Sequence, residues 1–472
     1  MTAYRQQIVD QTLSQLGVAL SPAAMSEVFT GALFPSERLQ SRYRVLDCEI
    51  MQARYKPGKN CLLSYRLTIR DGQTARRREQ ILCARFYGPG GSSSRFHKAQ
   101  SQALAATQFG PPVFHLPNLE MVGWVFPNDR KLVGLARLTN AECLMREVLP
   151  PVIAEAFGDG WRTDALTEEI VHYVAEHTCT ARVTVQLRSA ATGRSRTAVL
   201  YGKTYYNEDG AETFARMGEL AKSEACRQGR LALARPLAYD PESKTLWQMG
   251  LTGAPLYEQA PGGPLFIEML KRAAGALAAL HQSPVSCRRK IGIADLLARF
   301  DEVERMVALA RPESLPKLRS LIDRLKRQSR QIGARPAVTL HGDLHLKNFF
   351  VAGREIALID LDNLCLGDPL LELGSFIASL HYRNLLLERP AQRGRAPAEA
   401  FVRAYAESAP WAVTDSILNW YVAAALIAER AFRCVTRLKS GRLTMLDEII
   451  TLADEVSVRK LFVTAPSGAK AF

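Results

Sequence analysis

The stretch Val338-Thr-Leu-His-Gly-Asp-Leu-His-Leu-Lys-Asn-Phe-Phe-Val351, followed at once by Ile356-Ala-Leu-Ile-Asp-Leu-Asp362 and Gly367-Asp-Pro369, decides how the rest of the chain is read. Apolar runs bracket its polar clusters: Ala337 to Leu340, Phe349 to Val351 and Ile356 to Ile359. Short runs of this kind read as buried strands. Gly353-Arg354 supplies a turn, so the segment is expected to fold back as a hairpin. Asp343, Asn348 and Asp360 then lie on tight loops at strand ends, aimed into one space.

Phosphoryl transfer suits that arrangement. The reaction asks a protein for a carboxylate that orients the attacking hydroxyl and for hard oxygen ligands that hold magnesium against the phosphates. Asp343 fits the first role. Asn348 and Asp360 fit the second, because an amide and a carboxylate from opposite sides of a hairpin can pinch one ion. A lone His-Gly-Asp is most often a plain turn. Here His341-Gly-Asp343, Asn348, Ile359-Asp360 and Gly367-Asp-Pro369 follow in order within a short span, and in that order and spacing they resemble the aminoglycoside phosphotransferase and choline kinase family, a branch of the protein-kinase-like fold.

The resemblance implies an α+β, protein-kinase-like bilobal chain with a small antiparallel-sheet lobe and a large helical lobe. It also implies ATP between the lobes, Mg2+ on Asn348 and Asp360, and Asp343 as catalytic base or acceptor-orienting group. Asp362 is left open between a further ligand and a neighbouring acid. His341 and His345 are expected to fix the loop, Asp368 to cap a turn, and Glu372 to be structural.

Composition narrows the class. Apolar residues at 47% and charged residues at 23% are the balance of a globular chain, and 472 residues suffice for two or three domains. The net charge of +14 invites a nucleic-acid reading. However, the dense basic runs are short: Arg76-Arg77-Arg78 falls in a hairpin tip and Arg288-Arg289-Lys290 in a loop. A solvated charged face is the better account, and no nucleic-acid partner is expected. Nine cysteines, odd in number and without a CxxC pair, read as reduced thiols. With no signal-peptide profile and no apolar run of spanning length, a soluble cytoplasmic protein is expected, with no membrane partner.

A second regularity precedes the hairpin. Tyr55, Cys61, Thr74, Arg76, Arg78, Leu82, Tyr87, Phe96 and Ala103 are matched 118 residues later by Tyr173, Cys179, Thr192, Arg194, Arg196, Leu200, Tyr205, Phe214 and Ala221. A period this long, seen twice, means two copies of one sheet-plus-helix unit and not a solenoid. Three domains are expected: a cap-like 1–160 resembling a degenerate second small lobe, a small lobe over 161–255, and a helical lobe over 256–472. In copy two Lys203 stands where copy one has Arg85, and Lys203 matches the family lysine that meets the α- and β-phosphates. Its helix partner is expected to be Glu219, with Glu212 and Glu224 as rivals on a helix from about 212 to 228. No glycine-rich loop precedes Lys203; the turn is read as His177-Thr-Cys-Thr-Ala181.

The expected function is an ATP- and Mg-dependent phosphotransferase acting on a small-molecule hydroxyl. The alternatives are a nucleotide-binding pseudokinase serving as a regulatory or scaffolding module, and a protein-directed kinase. Arginines 383, 389, 393, 395, 403, 430, 433 and 437 crowd the segment that would face the acceptor. That leans toward a neutral or anionic acceptor such as a sugar and away from cationic antibiotics.

Overall fold

The structure is a computed structural model and describes residues 10–260, 262–353, 355–387, 392–438 and 442–458. By compactness the chain falls into two units. One runs to Gly210 and includes Leu237–Trp247 and Cys434–Leu443; the other takes Ala211–Pro236, Gln248–Arg433 and the residues from Thr444 on. The three-part division expected above follows the repeat instead, and stays a proposal.

The first unit carries two antiparallel sheets. Strands β1 (Tyr43–Lys56), β2 (Asn60–Asp71), β3 (Arg77–Tyr87), β4 (Val113–Leu116) and β5 (Met121–Val125) run in the order β1-β2-β3-β5-β4. Strands β6 (Trp161–Val174), β7 (Thr178–Ser189) and β8 (Ser195–Tyr205) begin and end 118 residues after β1, β2 and β3. With β9 (Ala232–Leu233) assigned elsewhere, β10 (Pro236–Asp240) and β11 (Thr245–Met249) complete the second sheet in the same order, β6-β7-β8-β11-β10. Even the first register shift recurs, between Val45 and Asp47 and again between Thr163 and Ala165. The repeat seen in the sequence is thus a repeat of the sheet.

Local chemistry explains these strands. In β7, Ala181, Val183, Val185 and Leu187 are buried while Arg182, Gln186 and Arg188 are exposed, the period of two that puts one face on a core. Strand β2 is apolar on both faces; Leu62, Leu63, Ser64 and Tyr65 are all buried. The helix Pro22–Leu33 belongs to the same core and buries Met25, Phe29 and Leu33, four residues apart. Ser21 caps that helix, accepting from the Ala24 N–H, with Pro22 at its first position. One reading is corrected here. The turn joining β6 to β7 is Ala175–His177, and Thr178 to Ala181 are already strand. The left-handed residue that makes the turn is Glu176, at φ +57°, not a glycine, so the signal that usually marks such a corner was missing.

The second unit is mainly helical. Its two small sheets are β12 (Ala254–Pro255) with β14 (Phe349–Ala352), β15 (Glu355–Leu358) and β9, and β13 (Val338–Leu340) with β16 (Cys365–Gly367). The expected hairpin is β14–β15, with Phe349 opposite Leu358 and Ala352 opposite Glu355; Arg354 of its turn lies outside the described residues. Below the hairpin Phe349, Phe376 and Phe401 pack ring to ring, at 5.5 Å and 4.2 Å between successive centroids. The helix Pro264–His281 buries eleven side chains, His281 among them.

One helix expectation needed adjustment. The helix placed at 212–228 is two, Asp209–Ala221 and Glu224–Arg227, because Ser223 caps a new start. Towards the C-terminus the chain runs as the helix Asp415–Ala425, a π-helical turn Leu426–Ala431 and the helix Phe432–Thr436. None of the nine cysteines is disulfide-bonded and six are buried. Among the described residues no helix is long and apolar enough to cross a membrane.

Candidate active site

The second unit brings Asp343, Asn348 and Asp360 onto one framework. Strand β13 delivers the chain into His341-Gly-Asp343, and the short turn Leu346–Asn348 passes it into β14. At the hairpin's base the Ile359 N–H donates to the Asn348 carbonyl at 3.0 Å, which ties the residue before Asp360 to Asn348. Asn348 is 3% exposed, and its Nδ2 donates to the Asp343 carbonyl at 2.9 Å. Its amide orientation is therefore set by the loop that carries Asp343. Asp360 is exposed and left-handed at φ +63°, a region that non-glycine residues seldom occupy and that recurs at functional sites.

The loop is held from beneath by Glu372. Its two oxygens accept from the backbone N–H groups of His341, at 2.9 Å, and Gly342, at 2.7 Å. Glu372 Oε2 also meets His281 Nε2 at 2.9 Å, and His281 Nδ1 meets the Tyr405 hydroxyl at 2.7 Å. Burial alone would raise the Glu372 carboxyl. The hydrogen bond and charge of His281, aided by His341, outweigh that and hold it below the usual glutamate range. His341 Nε2 bonds the Ile359 carbonyl at 2.9 Å, joining the loop to the end of the hairpin. Asp368 accepts from the Leu370 N–H, from Arg335 and from the Tyr421 hydroxyl, and so caps the helix Pro369–Leu386.

Gly342 is required by space as well as by φ (+82°): a Cβ there would lie 2.1 Å from the Asn363 carbonyl oxygen. Gly342→Ala is expected to cost about 2–4 kcal/mol by the combined strain and clash, read as a lower urea midpoint. An unchanged midpoint would mean that the loop is not held as described.

Electrostatics single out Asp343. Burial would raise its carboxyl, yet Arg433 first, then His345, His341 and Arg430, hold it below the ordinary aspartate value. Arg433 reaches Asp343 Oδ1 at 3.2 Å. Burial pushes His345 the other way, below the usual histidine value, against the attraction of Asp343. The arginine is expected to set the acid limb of activity. An aspartate that must be ionised loses function as pH falls through its pKa. Removing Arg433 raises that pKa, so Arg433→Gln is expected to move the acid limb of kcat/KM to higher pH. A pH–rate profile that does not move would show that Arg433 leaves the reacting carboxylate unaffected.

In the first unit Lys203 is half-buried on β8, opposite Thr180, with its Nζ 5.7 Å from the Tyr205 ring centre. In the second unit Glu219 accepts from the Ser286 N–H at 3.0 Å and its hydroxyl at 3.1 Å. The rivals hold other partners: Glu212 binds Arg216 and Arg288, and Glu224 binds Gln228. The Lys203–Glu219 pairing stays a proposal.

For a magnesium ion the donor set is an amide and a carboxylate, both oxygen donors. Among the described residues no group of three His, Cys, Asp or Glu could hold a metal. Magnesium takes one or two carboxylates and completes its shell with waters and phosphates. Sequence reasoning counted Arg430 and Arg433 without placing them on Asp343. They stand on and just after the π-helical turn, and an inserted residue of that kind leaves no periodicity to read. Beside the loop, a pocket is lined by Arg289, Asp295, Arg299, Gly342, Leu344 and Glu429 among others.

A carboxylate on a strand-end loop, with an amide and a second carboxylate carried at the base of one hairpin, is the set of groups that phosphoryl transfer asks of a protein. Residues 190–415, which hold most of β8, the loop and the hairpin, match the model of the phosphotransferase enzyme family. No curated protein matches the sequence.

Among solved structures the chain is similar to a choline/ethanolamine kinase family protein from Mesorhizobium loti, at 15% identity and a TM-score of 0.43, covering 65% of this chain and 92% of that one. It is also similar to a choline kinase from Cryptosporidium parvum, at 11% and 0.43, covering 62% and 88%. An aminoglycoside phosphotransferase from Streptomyces rimosus matches at 19% and 0.37, covering 58% and 94%.

Proposed function

We propose that the protein transfers the γ-phosphoryl group of ATP to a hydroxyl of a small molecule, with Mg2+ as the bound ion. The observation that carries the reading is the ionised Asp343, fixed by Asn348 and by the Glu372-anchored loop. In the reaction the acceptor oxygen forms a bond to the γ-phosphorus as the bond to the β-bridging oxygen breaks. ADP leaves, and the hydroxyl proton passes to Asp343. Asn348 and Asp360 would hold the magnesium ion, which supplies charge neutralisation at the phosphates. Lys203 is assigned to the α- and β-phosphates on the family resemblance, with Glu219 as its proposed partner.

The arginine surroundings of Asp343 support a neutral or anionic acceptor, a sugar or a related metabolite, because a cationic one would meet Arg430 and Arg433. The pseudokinase reading has one observation on its side, the Arg433 ion pair on Asp343. An ATP-consumption screen over sugars, amino alcohols, nucleosides and aminoglycosides, with the Asp343→Asn protein as blank, separates the two. Mg-dependent turnover on one acceptor, absent from the blank, is expected. ATP binding without transfer to any of them would favour the regulatory module.

A further inference from the structure

The N-terminal copy of the sheet meets the second copy at the β6–β7 turn, among other contacts. Glu176, in the β6–β7 corner, is 3% exposed at its side chain and takes two arginines side-on. Arg85 Nε and Nη2 reach its oxygens at 3.0 and 2.5 Å, and Arg130 Nε and Nη2 at 2.8 and 2.6 Å. Arg85 also donates to Asn60 Oδ1 at 2.8 Å, and Arg54 donates to the carbonyl of Ala175. All three arginines come from copy one or the segment just after it. Arg85 occupies the position that Lys203 occupies in copy two, so the cation that would meet a phosphate in copy one meets a carboxylate of the same chain.

The two copies differ at this corner in an informative way. In copy one the corner residue is Gly58, at φ +64°; in copy two the aligned residue is Glu176, at φ +57°. The rest of the corner is shared. The Tyr55 hydroxyl and the Gly58 N–H both donate to Asp10 at 2.8 Å. The Tyr173 hydroxyl and the Glu176 N–H donate in the same way to Asp129, at 2.7 and 2.8 Å. Copy two therefore accepts a strained conformation at a position where glycine is at ease, and gains a buried carboxylate there. The corner is also tied to the Lys203 strand: the Tyr206 N–H donates to the His177 carbonyl at 3.1 Å, and Thr178 and Thr180 pair with Tyr205 and Lys203.

We propose that the N-terminal copy holds the β6–β7 corner in place through Glu176, which acts as the positioning residue for nucleotide on the Lys203 strand. A glycine-rich loop closes on phosphates by flexibility; this corner is instead clamped in advance by Arg54, Arg85 and Arg130. The inference rests on the proposed function only in taking the Lys203 strand as the nucleotide side. It gives the N-terminal copy a task that no nucleotide of its own is needed to explain.

The test is nucleotide affinity measured by calorimetry with Mg-ATP on the full chain, together with KM for ATP, KM for the acceptor and the urea midpoint. Glu176→Gln loses the charge; Glu176→Gly takes the residue that copy one uses and relieves the strain, so it provides a folded variant should Glu176→Gln unfold. Both are expected to raise the ATP dissociation constant and KM by on the order of ten- to a hundredfold, the cost of a small misplacement, with the acceptor KM unmoved. A lower urea midpoint with unchanged ATP affinity in the folded variant would reduce Glu176 to a structural residue and overturn the proposal. Wild-type protein that binds no Mg-ATP would instead overturn the functional reading, and with it the nucleotide role given to the corner. Equal losses in both KM values would also count against it.

Discussion

Asp343→Asn is expected to lower kcat by roughly a thousandfold or more, because positioning and charge stabilisation carry most of phosphoryl transfer. Asparagine keeps the shape of the side chain but neither takes up the acceptor proton nor carries the charge that Arg433, His345 and His341 surround. Nucleotide affinity should change little, since Asp343 is assigned to the acceptor and not to the phosphates. The pair of measurements matters more than either alone. A large loss in kcat with ATP binding retained places Asp343 at the acceptor oxygen. A comparable loss in ATP affinity would place it on the metal, and full turnover would remove it from the reaction. Arg433 complicates the substitution, because its own partner is lost with the charge. The double variant with Arg433→Gln therefore serves as control: if Asp343 acts in the chemistry, removing Arg433 as well recovers no activity.

Much of this site was legible because the motif residues sit at fixed distances along one short segment. The hairpin, the order of His341, Asp343, Asn348 and Asp360, and the helix cap at Asp368 all follow from local chemistry: apolar runs, turn residues, an aspartate before a proline. The 118-residue repeat was legible for a similar reason, since nine residues from Tyr55 to Ala103 recur at one constant offset from Tyr173 to Ala221. What was not legible depends on contacts between distant parts of the chain. Nothing in Ala425 to Phe432 marks the π-helical turn beside Arg433, whose head meets Asp343. The β6–β7 corner was misplaced because its left-handed residue is a glutamate, a choice that makes sense only once Arg85 and Arg130 are seen on it. Glu219 was placed on its helix correctly, yet its bond to Ser286 joins residues 67 positions apart. Long-range polar pairing of this kind has no periodic trace.

Glu372→Ala is expected to cost about 3–5 kcal/mol of stability, the range for removing one partner from a buried charged cluster. Three donors are left behind: the N–H groups of His341 and Gly342, and the ring of His281, all buried or half-buried. Each unsatisfied donor carries a desolvation cost of its own. Glu372→Gln should recover only part of the loss, because its oxygen can accept one of the loop bonds while its NH2 opposes another donor. The pH dependence gives an independent check. Glu372 titrates below its unfolded value, so its ionised form contributes stability that is fully present above the ordinary glutamate range, near pH 4–5. That contribution is lost as pH falls through the lowered folded value. The gap in urea midpoint between wild type and Glu372→Gln is therefore expected to hold steady from neutral pH down to about 5, and to narrow below it. Activity should fall along with the loop, since the backbone that Glu372 grips is the backbone that presents Asp343. A variant as stable as wild type, with the same acid behaviour, would mean that the catalytic loop holds its shape without the glutamate.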